Sequence, residues 1–186
     1  MNQIQPKHFR ILAIAPSTRG FGFAVLEGPE TLVDWGVKPV KGDKNTESLT
    51  KVEKLIAHYQ PGVLVLQDTL AKHSRRSARI RTLSKRIITM AATRKIRVAL
   101  FSREKVMQVF FADDHGTKHA LAEILAQRFP EELGSRLPPK RKLWMSEDSR
   151  MDIFDAVALA LMPRLKSGYV RPVNTAATAH PVRRVS

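Results

Sequence analysis

The chain has 186 residues, 43% of them hydrophobic and 26% charged, with 32 lysines and arginines against 17 aspartates and glutamates for a formal net charge of +15. That length is enough for one domain with a proper core, no apolar run nears the ~20 residues of a membrane span, and the absence of cysteine excludes disulfides and thiolate metal sites. So large a cationic excess attracts a polyanion; nucleic acid is the usual one, although ribosomal contact or anionic lipid would satisfy the same charge.

The first eight residues read as a loose leader without signal-peptide layout, and the expected location is cytoplasmic. From Phe9 to Ser17 the near-continuous run Ile11, Leu12, Ala13, Ile14 predicts a central strand covered on both faces. Gly20 and Gly22 are expected to bracket a turn into a second strand, "FGFAVLEG", and Gly28-Pro29-Glu30 a turn into a third, "TLVDWGVKPV". Such short connections favour an antiparallel meander. The period then lengthens: Leu49, Val52, Leu55 and Ile56 predict a helix that ends at Pro61-Gly62. A fourth strand, "VLVLQD", precedes a helix expected over 74–93, with Ile80, Leu83, Ile87 and Met90 on one stripe. "IRVALFS" is a fifth strand, and Ser102 caps a short helix, "REKVMQVFF". After a turn, "DDHGTK", a helix starts near Thr117; a basic loop, "LGSRLPPKRKLW", leads to a last helix, "SRMDIFDAVALALMPRL". Residues 166–186 read as a basic, disordered tail, leaving 9–165 as one domain. The expected fold is α/β: a five-stranded mixed sheet, three antiparallel strands then two parallel ones, with helices on both faces.

Four segments carry chemistry in order. "ILAIAPSTRGFGFAVLEG" resembles the opening of the RuvC-like branch, the Holliday-junction resolvases, of the RNase H-like superfamily, where the first strand ends in Asp-Pro-Gly. "PGVLVLQDTLAK" resembles that family's second motif, a Pro, four mostly apolar residues and a catalytic Glu. "HGTKHALAEIL" is similar to a Gly- and Lys-containing segment that enters a helix and contacts DNA, and "MDIFDAVALALM" to a final helix with two acids three apart. The resemblance spans roughly residues 9–163. It implies an RNase H-like fold, a homodimer, Mg²⁺ as cofactor and DNA, ahead of RNA, as partner. It also implies a two-metal site whose carboxylates hold the ions ~3.5–4 Å apart. On this chain the first Asp falls on Ala15 and the Glu on Gln67, and only Asp152 and Asp155 are kept, as the candidate metal ligands.

Neighbouring acids are candidates for a rearranged site. Asp68 adjoins Gln67, but alternation along a strand should turn it to the opposite face unless a strand end or bulge intervenes. Asp148 lies four residues before Asp152, ~6 Å along a helix axis, and also suits a helix cap. Asp152 and Asp155 share a helical face and can address one cavity; acids early in a helix equally complement its dipole.

The segment "KHSRRSARIRTLSKR" carries Lys72, Arg75, Arg76, Arg79, Arg81, Lys85 and Arg86 without an acid, a pattern that tracks phosphates better than it solvates a helix. Arg75 and Arg79, and Arg79 and Arg86, are expected to share a helical face. The loop adds Lys140, Arg141 and Lys142 beside Trp144, which could stack on an unpaired base or, more commonly for a Trp before a helix, pack into the core. Lys118, at a helix start, is placed to meet a phosphate. His115 and His119 lack an evident third partner for zinc.

Two functions follow. One is a degenerate nuclease that binds DNA or structured RNA, including branched forms, through its basic surface. The other is a Mg²⁺-dependent endonuclease or junction resolvase using Gln67, Asp68, Asp148, Asp152 and Asp155. A single engineered change at Ala15 would leave Gln67 unexplained, and an actin-like ATPase would need a second such domain.

Overall fold

A computed structural model describes residues 9–69, 71, 74–111 and 116–165; the leader, the tail, and residues 112–115 of the expected turn lie outside the described residues. The strands are β1 (Arg10–Pro16), β2 (Gly20–Glu27), β3 (Thr31–Pro39), β4 (Val63–Gln67) and β5 (Arg97–Phe101). Helices α1 (Lys44–Tyr59), α2 (Ala78–Thr93), α3 (Arg103–Phe110), α4 (Lys118–Arg128), α5 (Pro130–Leu133) and α6 (Met151–Leu165) complete the chain, with a 3₁₀ turn at Gly134–Arg136. The sheet order is β3-β2-β1-β4-β5, antiparallel through β1 and parallel from β1 to β5, the mixed sheet that the strand pattern predicts.

Alternation along the strands builds two cores. Ile11, Ala13, Ala15, Ala24, Val63, Val65 and Ala99 face α6, α3 and α4, while Leu12, Ile14, Phe21, Phe23, Leu64 and Leu66 face α1 and α2. Helix α6 is buried from Met151 to Met162 except at Asp155, and is apolar around most of its circumference, as a helix so enclosed must be. Among the described residues, no helix is long and apolar enough to cross a membrane.

Four local expectations are corrected. The helix expected over 74–93 begins at Ala78, because Ser77 is extended and its hydroxyl caps the Ile80 N–H. Arg75 and Arg76 therefore precede α2, and Arg75 does not share a helical face with Arg79. Gly20 and Gly22 lie inside β2 rather than bracketing a turn; the tight connection closes one step earlier, where the Ser17 N–H donates to the Gly20 carbonyl at 2.9 Å. The basic loop opens with structure of its own: Pro130, at the first position of α5, suits a helix start, and the 3₁₀ turn follows. Helix α6 begins at Met151 rather than Ser149, so Asp148 is outside it; Asp148 instead accepts from its near neighbour Arg150 at 2.7 and 3.0 Å.

Gly22 sets how closely α6 approaches the sheet. A Cβ there would lie 1.9 Å from the Asp152 carbonyl oxygen and 2.3 Å from its carbon. Gly22→Ala should therefore push the start of α6 off β2 and destabilise the fold by at least ~2 kcal/mol, read as a lowered midpoint in urea denaturation.

Candidate functional site

The period of the strands decides what meets at the sheet's end. Ala15 and Gln67 continue the rows Ile11, Ala13 and Val63, Val65, so both point to the α6 face, and the pairing of Ile14 with Leu66 sets them side by side. Gly22 is paired with Ala15, and its missing side chain admits the first turn of α6 to the same end. Asp155, one turn further along α6, faces a cleft of about 30 Å³ lined also by Ala15, Gln67, Arg76 and Lys118. Ala15, Gln67 and Asp155 thus line one cleft, while Asp152, buried where α6 meets Gly22, does not line it.

Each polar member of this group has a built-in cation or is sealed. Arg76 donates from Nε and Nη2 to Gln67 Oε1 at 2.9 and 2.5 Å, and from Nη1 to the Pro16 carbonyl at 3.4 Å. Lys118, the first residue of α4 after the Thr117 cap, places its ammonium 2.7 Å from Asp155 Oδ2 and 2.9 Å from Glu147 Oε2. Burial works against the Lys118 charge, but the two carboxylates outweigh it and hold its pKa above the ordinary lysine value. Asp152 is only 8% exposed, and burial, reinforced by the charge of Asp155, pushes its carboxyl above the usual range. Lys118 and the Ser17 hydroxyl oppose that shift; Ser17 stands close enough to favour the charged form without closing a hydrogen bond of good geometry.

This donor set does not fit a pair of Mg²⁺ ions. Each would need several hard oxygen ligands in near-octahedral array. Ala15 offers none, Gln67 Oε1 faces a guanidinium, Asp155 faces an ammonium, and Asp152 is buried. Among the described residues, no three His, Cys, Asp or Glu side chains gather so as to hold a metal.

A second cleft, of about 590 Å³, opens beside the first, and Gln67, Arg76, Arg103 and Lys118 line both. Asp68 lines the second only, as do Arg75 and Glu104, while its backbone N–H donates to the Phe101 carbonyl at 2.8 Å. The candidate nucleic-acid residues thus fall into four groups. Arg75, Arg76 and Lys118 come together at the clefts. Lys85 and Arg86 are exposed along α2, and Lys140, Arg141 and Lys142 are exposed on the loop before α6. Arg79 serves as a clamp: its Nη2 donates to the Ser17 carbonyl at 2.6 Å and its Nη1 to Asn45 Oδ1 at 3.2 Å, tying α2 to β1 and α1. Lys72 and His115 lie outside the described residues, and His119 stands 3.4 Å from Glu123 across one turn of α4. Sequence reasoning missed Glu147, Arg103 and Arg19. No periodicity marks them; Arg19 and Glu147 meet only in space, where Arg19 donates to the Glu147 carbonyl at 3.0 Å.

No protein-family model matches the chain, and no curated protein matches it. Solved structures do. Thermus thermophilus RuvC is 14% identical, with a TM-score of 0.62 over 84% of this chain and 94% of that one. T. thermophilus RuvC in complex with a Holliday junction substrate is 15% identical, with a TM-score of 0.64 over 89% and 100%. The yeast mitochondrial Holliday junction resolvase is 12% identical, with a TM-score of 0.58 over 88% and 81%. The chain has the RuvC-like form of the RNase H-like fold, as the four motifs imply.

Two outcomes follow from the charges. Lys118→Met should leave Asp155 with a mostly buried, uncompensated carboxylate and cost about 2 kcal/mol, part of which the added change Asp155→Asn recovers in urea titrations. Because the folded pKa of Asp152 lies above its unfolded value, the native state binds the extra proton between the two, and stability falls as pH rises through that window. Asp152→Asn should therefore be more stable than the parent near pH 7, with the advantage vanishing below the unfolded carboxylate pKa of about 3.9, as thermal melts across pH would record.

Proposed function

We infer that this chain binds nucleic acid through a RuvC-like scaffold without hydrolysing it: a pseudo-nuclease whose divalent-metal centre has been replaced by tethered cations. The observation that carries this reading is the pair of contacts Arg76–Gln67 and Lys118–Asp155, which put fixed positive charge on the side chains that the resemblance assigns to metal ligation. A carboxylate neutralised by an ammonium leaves no coordination position for an ion that activates water, so the residues present can neutralise and orient a phosphodiester but have no group positioned to attack it.

DNA is the partner the reading favours, branched DNA included. The likeness to a resolvase solved with a Holliday junction substrate supports it, as do the exposed cations of α2 and of the loop before α6. On a duplex the contacts would be to phosphates, which set affinity and register and carry little sequence information.

The test uses labelled four-way junctions and duplexes with the full chain, in EDTA and with Mg²⁺ or Mn²⁺. The expected outcome is binding in EDTA, no cleavage with either metal, and a steep dependence on salt. That dependence should flatten by about 0.9 log units per log of salt for each phosphate no longer neutralised in the Arg75→Gln, Lys85→Gln and Arg86→Gln variants. Strictly metal-dependent cutting that Asp155→Asn abolishes would overturn the reading and establish an endonuclease with a rearranged site.

A further inference from the structure

The loop between the 3₁₀ turn and α6 is pinned at both ends and unpacked at its tip. On one side Leu137 packs against the α6 core and Pro138 is buried. On the other, Arg19 grips the Glu147 carbonyl, and the Glu147 carboxylate sits on Lys118. Between these anchors the Met145 N–H donates to the Lys142 carbonyl at 3.0 Å, closing a tight turn with Leu143 and Trp144 at its apex. Leu143 is 95% exposed, Trp144 81% and Met145 47%. The ordinary fate of a Trp before a helix, burial in the core, is therefore not its fate here. Three consecutive large apolar side chains in water mark a surface built to be covered.

The charges around the tip select what covers it. Lys140, Arg141 and Lys142 run up to the apex, and the Lys142 ammonium lies 5.5 Å from the centre of the Trp144 ring. Only two residues separate Trp144 from Glu147, which lines the larger cleft with Arg75, Arg76, Arg103 and Lys118, so the Trp144 Cα stands within roughly 11 Å of the Glu147 Cα. An aromatic face flanked by cations, beside a cleft that sets Arg75, Arg76, Arg103 and Lys118 among Asp68, Glu104 and Glu147, suits an unpaired nucleotide: the base stacks on the ring while its phosphates meet Lys140, Arg141 and Lys142. A protein partner or a second copy would gain little from cations crowded against the apolar apex, because bases at such density repel another basic surface.

We propose that Trp144 is a base-stacking residue and that the 140–145 loop recognises unpaired bases in DNA, a specificity that rests on the nucleic-acid reading above and adds a preference for strands with an open base. Trp144 contributes through its ring face, and Lys140, Arg141 and Lys142 hold the adjoining phosphates.

The chain has two tryptophans, so a Trp35→Phe background isolates the signal of Trp144. The probes are single-stranded oligothymidine, a duplex interrupted by a short unpaired thymine gap, and a fully paired duplex of the same length. Stacking should quench Trp144 emission on the first two and not on the third. Trp144→Ala should weaken binding to the first two by about tenfold, with the affinity for paired duplex within about twofold and the salt slope unaltered, while Trp144→Phe retains most of the preference. Binding to all three probes without quenching, or an equal loss on all three in Trp144→Ala, overturns the stacking role and leaves nucleic-acid binding intact. Binding to none of them overturns both readings together. Quenching by phosphatidylserine vesicles in place of DNA, or a dimer that Trp144→Ala converts to monomer, would also overturn it, because the tip would then serve lipid or self-association.

Discussion

One close approach governs the architecture: the backbone of Asp152 lies against Gly22, where a side chain has no room. Gly22 is paired with Ala15 and neighboured on its own face of the sheet by Ala24 and Ala13, and α6 carries Ala156, Ala158 and Ala160. Small residues on both sides bring the helix axis down onto the sheet, and dense packing of small against small fixes the helix in rotation as well as in depth. The acids at the start of α6 consequently arrive at the ends of β1 and β4 whatever their chemical role. Their convergence with Ala15 and Gln67 is a consequence of packing, and the character of the site depends on which other groups are brought to the same rim.

Those groups are cations. A divalent ion and a tethered cation can neutralise the same carboxylate, with different consequences. Mg²⁺ brings exchangeable positions and bound water; an ammonium or guanidinium brings directed hydrogen bonds and nothing to exchange. Lys118 keeps its charge in a mostly buried position because Asp155 and Glu147 outweigh the cost of its desolvation. Arg76 uses its fork twice, on Gln67 and on the Pro16 carbonyl, and so also ties the segment before α2 to the end of β1. The rim therefore carries positive charge of the kind that phosphates attract, held in place by Gln67, the Pro16 carbonyl, Asp155 and Glu147.

The elements with strong periodicity were legible residue by residue. The apolar runs of β1 and β4, the stripe Ile80, Leu83, Ile87 on α2, the cap at Ser102 and the helix start near Thr117 stand where their patterns place them, because each depends on neighbours within a turn or on alternation along a strand. Boundaries set by a single side chain were less legible. The apolar stripe did not show where α2 starts within 74–93; the extended backbone at Ser77 decides that it begins at Ala78, which removes Arg75 and Arg76 from the helix. The loop before α6 was legible as basic and not as anchored, because its anchors, Arg19 and Lys118, come from 128 and 29 residues away.

Read from residues alone, the chain already shows its class of fold, the two layers of core, alanine and an uncharged amide at positions 15 and 67, and the excess of positive charge. All of these follow from residue identity and local period. The tertiary structure alone decided the partners: Arg76 on Gln67, Lys118 bridging Asp155 and Glu147, Asp152 buried and Trp144 left in water. Pairing and burial depend on distances between residues far apart in the chain, and those distances are set by how closely α6 can lie on a sheet that carries glycine at position 22.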